Sequence, residues 1–133
     1  MVTSKRINTN IRVLIAEDNS EMRNTIIRIV EGEYEVVGVV GDGRALVTAA
    51  MELEPDIAIV DIAMPVMNGI EAVDEIRFRG SVMKVVFLTV NEDVDFVRAA
   101  YKVGALGYVV KRQMTSDLLV ALTEALGGRK FLS

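Results

Sequence analysis

Polar residues stand at the carboxyl ends of four apolar segments of this sequence, in a pattern typical of a site for phosphate or a metal ion. These residues are Glu17, Asp18, Asp61, Thr89 and Lys111. Carboxylates brought close together repel one another, which raises the pKa of at least one of them unless a cation lies between them. Because every ligand in such a cluster is an oxygen, the pattern favours magnesium or manganese over zinc.

The composition limits the chemistry that these residues can perform. The chain has no cysteine and no histidine, so thiol and imidazole catalysis are excluded. It also has no glycine-rich phosphate loop, which leaves a carboxylate that forms an acyl phosphate as the best nucleophile. Asp61 is the candidate acceptor because Glu17 and Asp18 are adjacent and suit a metal-binding pair. Lys111 and the Thr89 hydroxyl would then bind the phosphoryl oxygens.

Apolar segments of strand period alternate with segments of helical period along the chain, and this alternation predicts the elements that position the site. The predicted strands are 11–16, 34–40, 56–60, 82–89 and 106–110. The predicted helices are 20–31, 43–53, 69–78, 92–103 and 115–126. Strict alternation favours right-handed parallel crossovers. We therefore predict an α/β fold, a flavodoxin-like doubly wound (βα)5 with a five-stranded parallel sheet of order 2-1-3-4-5, in which the polar residues share one crevice.

Each polar residue also has a plainer interpretation. Asp18 is a favoured type of helix cap, and Thr89 to Glu92 (TVNE) matches a capping box. Lys111 alone reads as a solvated side chain, and Tyr108 as a core residue. The functional interpretation depends on the whole set, since polar residues at four strand ends are improbable as independent accidents.

Length and charge exclude several classes of function. The 133 residues suit one domain, and a formal net charge of -4 argues against a nucleic-acid surface on this chain. No apolar segment approaches the roughly 18 residues of a membrane helix, and the first ten residues lack the apolar region of a signal peptide. We therefore expect no membrane partner and a cytoplasmic location.

Taken in order, the motifs resemble the receiver domain of two-component response regulators over nearly the whole chain. The motifs are the pair Glu17-Asp18, the stretch Asp61-x-x-Met64-Pro65-x-Met67-Asn68-Gly69, Thr89, and Gly107-Tyr108-Val109-Val110-Lys111. The resemblance implies that Asp61 accepts phosphate from a histidine of a sensor kinase or phosphotransfer protein. It also implies that Glu17, Asp18, Asp61 and the backbone carbonyl of Ala63 hold Mg²⁺ (or Mn²⁺), and that Lys111 pairs with the phosphoryl group.

The resemblance further assigns Thr89 and Tyr108 as a switch pair. The hydroxyl would move to the phosphate and the ring would turn inward, which reshapes the surface of the fourth helix and fifth strand. Val90 stands where the family favours a small residue, so we expect it to slow small phosphodonors and water. Ala63 and Asn91, two positions beyond Asp61 and Thr89, are expected to tune hydrolysis.

The end of the sequence resembles regulators that continue into a LuxR-type helix-turn-helix domain. We therefore expect an N-terminal extension at 1–10, a receiver domain at 11–127, and the start of a linker at 128–133 to an output domain that this chain lacks. DNA would be contacted only through that domain, and transcription would be the output. The apolar stripe of the last helix is expected to cover the sheet, with a homodimer as the rival interpretation.

Three other functions stay open at this point. A stand-alone receiver would act by protein contact alone, and a pseudo-receiver would keep the fold without phosphorylation. A small aspartyl-phosphate phosphatase of the haloacid-dehalogenase class is disfavoured, because it usually needs a second acid two residues after the nucleophile, where this chain has Ala63. A receiver is expected to be a signalling switch rather than an enzyme.

Overall fold

A computed structural model describes residues 10–90 and 92–133 of the chain. Strands and helices alternate as the sequence predicts, and every strand pairing in these residues is parallel. The strands are β1 (Arg12–Ala16), β2 (Glu35–Val40), β3 (Ile57–Asp61), β4 (Lys84–Thr89), β5 (Gly107–Val110) and β6 (Phe131–Leu132). The helices are α1 (Ser20–Val30), α2 (Gly43–Leu53), α3 (Gly69–Phe78), α4 (Val94–Lys102) and α5 (Met114–Leu126), the last preceded by a 3-10 turn at Lys111–Gln113.

The strand order is β2-β1-β3-β4-β5-β6, so the predicted order is confirmed for the first five strands and the predicted number of five is wrong. The sixth strand is short and joins β5 through backbone hydrogen bonds. The amide of Phe131 donates to the Leu106 carbonyl at 2.8 Å, and the amide of Ser133 donates to the Tyr108 carbonyl at 3.0 Å. Two residues are too few to show the alternation that identifies a strand in sequence, and for this reason β6 was not predicted.

Helices cover both faces of the sheet, which is the doubly wound arrangement. One apolar layer joins α2, α3 and α4 to one face of the strands, and it includes Leu46, Val47, Ala72, Val73, Ile76, Phe87, Ala100 and Tyr108. The other layer joins α1 and α5 to the opposite face, and it includes Ile26, Val30, Val86, Leu88, Leu118, Leu122 and Ala125. The central strands are buried on both sides and are consequently apolar almost throughout.

The last helix covers the sheet, as expected from its apolar stripe. Leu118, Leu122 and Ala125 are fully buried against the strands, whereas Leu119 and Leu126 are partly buried. The stripe is therefore explained by packing within the chain, and a homodimer stays a prediction. Among the described residues, no helix combines the length and the apolar character needed to cross a membrane. The expected N-terminal extension lies, except for Asn10, outside the described residues.

Candidate functional site

Parallel strands carry all five candidate residues to the same edge of the sheet. Chain connections leave β1 and β3 in opposite directions, so the crevice between their carboxyl ends is the switch point at which such sheets bind ligands. Asp61 is the last residue of β3 and Thr89 the last of β4. Glu17 and Asp18 follow β1, and Lys111 follows β5. The predicted clustering is therefore confirmed for the carboxylates and the lysine by the distances given below.

The acidic pair after β1 is held by the turn into α1. The amide of Glu17 still donates to the Val40 carbonyl at 2.9 Å, as a continuation of the β1–β2 pairing. Asn19 caps α1, because its side chain accepts from the amide of Met22, and the capping interpretation of Asp18 is therefore wrong. Glu17 is buried and its Oε2 accepts from the Asn19 amide at 3.1 Å, whereas Asp18 is exposed.

Lys111 connects two of the carboxylates. Its Nζ donates to Asp61 Oδ2 at 3.2 Å and lies 2.9 Å from Glu17 Oε1. The side chain is only 14% exposed, so the interpretation of Lys111 as a solvated residue is wrong. Asp61 itself is buried, and its Oδ1 accepts from the amide of Ala63 at 3.2 Å. One carboxylate oxygen of Asp61 therefore accepts a hydrogen bond from a backbone amide, and the other accepts one from the Lys111 ammonium.

The charges in the crevice shift the pKa of both partners in this ion pair. Burial, and then the neighbouring Glu17 carboxylate, raise the pKa of Asp61 to about 6, although Lys111 and the Ala63 amide oppose the shift. Burial alone would lower the pKa of Lys111, but Glu17 and Asp61 raise it above its ordinary value. Lys111 is therefore positively charged at neutral pH. The ionised form of Asp61 is destabilised by burial and by Glu17, and Lys111 offsets this only in part.

The three acids leave room for a cation as well as Lys111. Glu17, Asp18 and Asp61 each offer one carboxylate oxygen, and these oxygens lie within 4.8 Å of one another. Glu17 Oε1 is buried and lies 2.9 Å from Lys111 Nζ, an ammonium that it shares with Asp61. Three carboxylates face one ammonium, so negative charge remains in excess. An all-oxygen set whose negative charge exceeds that of its one ammonium is suited to a hard divalent cation.

Thr89 and Tyr108 lie on the adjacent strands β4 and β5. Thr89 is buried, and Asp93 rather than Thr89 caps α4, which makes the capping-box interpretation wrong and begins the helix at Val94 rather than at 92. Tyr108 is 1% exposed and packs in the core layer of α2, α3 and α4, so its reading as a core residue is confirmed. Burial, then the carboxylates of Asp93 and Glu92, raise the pKa of Tyr108.

The remaining site residues differ in how much the structure says about them. The Val90 side chain is 74% exposed, directly after Thr89 at the mouth of the crevice. Ala63 is exposed and its amide faces Asp61, while the role expected for its carbonyl stays a prediction. Asn91 lies outside the described residues.

The loop from β3 to α3 holds two features whose reasons are visible only in three dimensions. The amide of Gly69 donates to the Ile62 carbonyl at 2.8 Å, and a Cβ on Gly69 would lie 2.4 Å from the backbone oxygen of Asp61. Val66 has φ of 71° in a γ-turn closed by the Met67 amide and the Pro65 carbonyl at 2.8 Å. A positive φ is strained for a β-branched residue. The Pro65-to-Gly69 motif therefore shapes the backbone beside Asp61.

The sequence of the chain is similar to those of known proteins. The sequence pattern of the response regulator receiver domain matches residues 13–123. The transcriptional regulatory protein PdtaR of Mycobacterium tuberculosis is 39% identical over 116 residues, which are 86% of this chain and 56% of PdtaR. The nitrate/nitrite response regulator protein NarL of Escherichia coli is 32% identical over 123 residues, 91% of this chain and 57% of NarL. The chain thus spans little more than half the length of these relatives.

Solved structures show the same fold. A two-component response regulator of the LuxR family from Aurantimonas superposes with a TM-score of 0.87 at 29% identity, over 92% of this chain and 89% of that one. The non-phosphorylated receiver domain of the stress response regulator RcsB from Escherichia coli gives 0.84 at 26% identity, over 92% and 98%. By sequence pattern and by fold, the chain belongs to the response regulator receiver domain family of two-component signalling proteins.

Proposed function

We propose that Asp61 is the phosphoacceptor of this receiver domain and that a histidine of a partner sensor kinase or phosphotransfer protein is its donor. The observation that carries the proposal is the position of Asp61, a buried carboxylate at the switch point of the sheet with Lys111 on one of its oxygens. Burial and Glu17 raise the pKa of Asp61, which makes its carboxylate a better nucleophile, and the mixed anhydride that it forms places the negative charge on the phosphoryl group beside Lys111.

Glu17, Asp18 and Asp61, with the carbonyl of Ala63, would hold Mg²⁺ or the similar Mn²⁺. The oxygen spacing and the excess of three carboxylates over one ammonium support this assignment. When bound, the cation supplies positive charge that offsets the negative charge of the carboxylates and of the transferred phosphoryl group.

In the transfer step, a carboxylate oxygen of Asp61 forms a bond to phosphorus as the bond from phosphorus to the donor's imidazole nitrogen breaks. The electron pair of that bond returns to the imidazole ring, so no oxidant or further reactant is needed. Lys111 Nζ already lies 3.2 Å from Asp61 Oδ2, and it is placed to pair with a phosphoryl oxygen. Attack of water on the acyl phosphate later restores Asp61 and releases phosphate.

Thr89 and Tyr108 are the proposed switch pair. Thr89 ends the strand beside Asp61, and its hydroxyl is proposed to bond the phosphoryl group. The ring of Tyr108 is already buried in this structure. This inward position is the one proposed for the ring after phosphorylation. Ala63, Val90 and Asn91 are proposed to tune how quickly donors and water reach the phosphorylated carboxyl.

The output is proposed to be transcription through a DNA-binding domain of a longer protein. Support comes from PdtaR, which is named as a transcriptional regulatory protein, and from the lengths of PdtaR and NarL, which are nearly twice that of the matched part. In this proposal residues 11–127 are the receiver domain, 128–133 begin the linker, and the protein is a cytoplasmic switch rather than an enzyme. Pairing of two receivers upon phosphorylation and action as a stand-alone receiver stay as alternatives.

Intact mass after incubation with acetyl phosphate tests the proposal, since the absence of tryptophan removes the usual fluorescence signal. We expect a gain of one phosphoryl group that needs Mg²⁺ and is absent from Asp61→Asn. Asp74→Asn, a change in an exposed carboxylate of α3, is the matched control and should be phosphorylated normally. No gain with either acetyl phosphate or a histidine-phosphorylated donor protein would favour a pseudo-receiver.

A further inference from the structure

Residues 129–133, here named the C-terminal strap, cross the face formed by α4, β5 and α5. Tyr101 of α4 donates its hydroxyl to the Phe131 carbonyl at 2.6 Å, and Lys130 Nζ lies 5.5 Å from the centre of the Tyr101 ring. Arg129 pairs with Glu124 of α5 at 2.7 Å. The strap thus has polar contacts to both helices in addition to its pairing with β5.

The last residue of the strap contacts β5 at the end nearest the site. Ser133 Oγ accepts from the Val110 amide at 3.3 Å and donates to Asp117 Oδ2 of α5 at 2.9 Å. The Ser133 amide also donates to the Tyr108 carbonyl. Without β6, strand β5 would be the edge strand of the sheet, and the backbone groups on its outer side would have no strand partner. Ser133 therefore fixes the strand segment that carries Tyr108 and Val110.

The adjacent residue is Lys111, whose ammonium binds Asp61 and Glu17. An ion pair at this distance depends on where the end of β5 lies, because a shift of about 1 Å is enough to spoil catalytic geometry. Leu132 is the register partner of Tyr108, so their side chains lie on the same face and Leu132 stands on the outer side of the ring. The strap therefore restrains both the lysine and the route by which the tyrosine would turn outward.

We propose that the C-terminal strap is a positioning element for the phosphoacceptor site, and that Ser133 holds the end of β5 so that Lys111 stays on Asp61. The consequence for phosphorylation rests on the function proposed above. Because Lys111 already lies where a phosphoryl group on Asp61 would meet it, strap docking and phosphorylation favour the same position of β5. By linkage, each then strengthens the other.

The test compares two serine hydroxyls that both donate to Asp117. Ser133→Ala removes the hydroxyl that also accepts from Val110, whereas Ser116→Ala removes a donor to Asp117 Oδ1 that has no contact with β5. Ser133→Thr keeps a hydroxyl and serves as the rescue variant. For each variant of the 133-residue chain we would measure the rate of acetyl phosphate labelling with Mg²⁺ and the amide hydrogen exchange of a peptide covering residues 107–112.

We expect Ser133→Ala to slow labelling by about three- to ten-fold, the range expected for loss of one ordinary hydrogen bond. Exchange at 107–112 should rise in the same variant, while Ser116→Ala and Ser133→Thr stay near wild type. If hydrogen exchange at 107–112 is unchanged in Ser133→Ala, Ser133 does not restrain the end of β5. If exchange is faster but the labelling rate is unchanged, the restraint does not position Lys111 for phosphorylation. If the wild type accepts no phosphate, the function proposed above fails, and the positioning role proposed here fails with it, although the exchange comparison still decides whether the strap restrains β5.

Discussion

Replacing Asp61 by asparagine should stabilise the protein, although it removes the proposed phosphoacceptor. Burial and the Glu17 carboxylate destabilise the ionised form of Asp61, and Lys111 offsets this destabilisation only in part. An asparagine has nearly the same shape and can still accept from the Ala63 amide through its carbonyl oxygen. The substitution therefore deletes the unfavourable charge and keeps most of the packing.

The magnitude and its pH dependence follow from the pKa of Asp61, which the fold raises from an ordinary 3.8 to about 6. At about 1.4 kcal/mol per pKa unit, the full shift sets an upper limit of about 3 kcal/mol, and partial solvation of the crevice reduces the expected gain to about 1–2 kcal/mol. Below pH 3.8 the carboxyl is protonated in the folded and unfolded states alike. Between pH 3.8 and about 6 the unfolded chain has released this proton whereas folded Asp61 retains it, so rising pH lowers the stability of the wild type relative to the variant, and the loss is complete above about 6.

Urea unfolding followed by circular dichroism, with a chelator present, measures the effect at about pH 7.5 and about pH 4. We expect Asp61→Asn to have the higher midpoint at the higher pH, with the advantage largely gone at the lower one. Asp18→Asn is the matched control, because this carboxylate is exposed and its removal should change stability less. Equal or lower stability of Asp61→Asn at about pH 7.5 would refute the electrostatic reasoning.

Three further substitutions test the loop and the mouth of the crevice. Val66→Gly should raise the free energy of unfolding by about 1 kcal/mol, because it relieves a positive φ in a side chain that is 81% exposed; an unchanged urea midpoint would contradict this. Gly69→Ala should lower the free energy of unfolding by about 1–3 kcal/mol, since its Cβ meets the Asp61 carbonyl oxygen. Gly32→Ala, whose Cβ would meet nothing within 4 Å, should cost nothing, and equal urea midpoints for the two alanine variants would count against the argument. Val90→Ala should speed labelling by acetyl phosphate and hydrolysis of the acyl phosphate, and unchanged rates of both would show that Val90 does not shield the site.

The order of strands and the edge that carries the site were predictable because buried parallel strands have a strong apolar pattern. Asp61 and Lys111 stood out for the same reason, as charges that end such strands. The interpretation of single residues was less secure: Asp18 and Thr89 are good cap residues by type, yet Asn19 and Asp93 cap the helices instead. Which of several nearby polar residues caps a helix depends on the backbone geometry of the turn before it. The spacing of apolar residues in the sequence does not determine that geometry.

The strap and the strained loop could not be predicted from sequence. The strap is held mainly by backbone pairing to β5 and by single contacts from Tyr101 and Asp117, which are distant in sequence. Gly69 was recognisable as part of a motif, but the reason for it is a close approach to the Asp61 backbone that only the folded loop creates. Such features arise from tertiary contacts and leave no periodic signal.

Asp61, and neither of its two acidic neighbours, is proposed to form the acyl phosphate. Borohydride reduction of the protein labelled with acetyl phosphate and Mg²⁺ converts a phosphorylated aspartate to homoserine, which peptide sequencing by mass spectrometry locates. We expect homoserine at position 61, dependent on both the donor and Mg²⁺. Reduction at position 17 or 18 in place of 61, or labelling that leaves position 61 as aspartate, would contradict it.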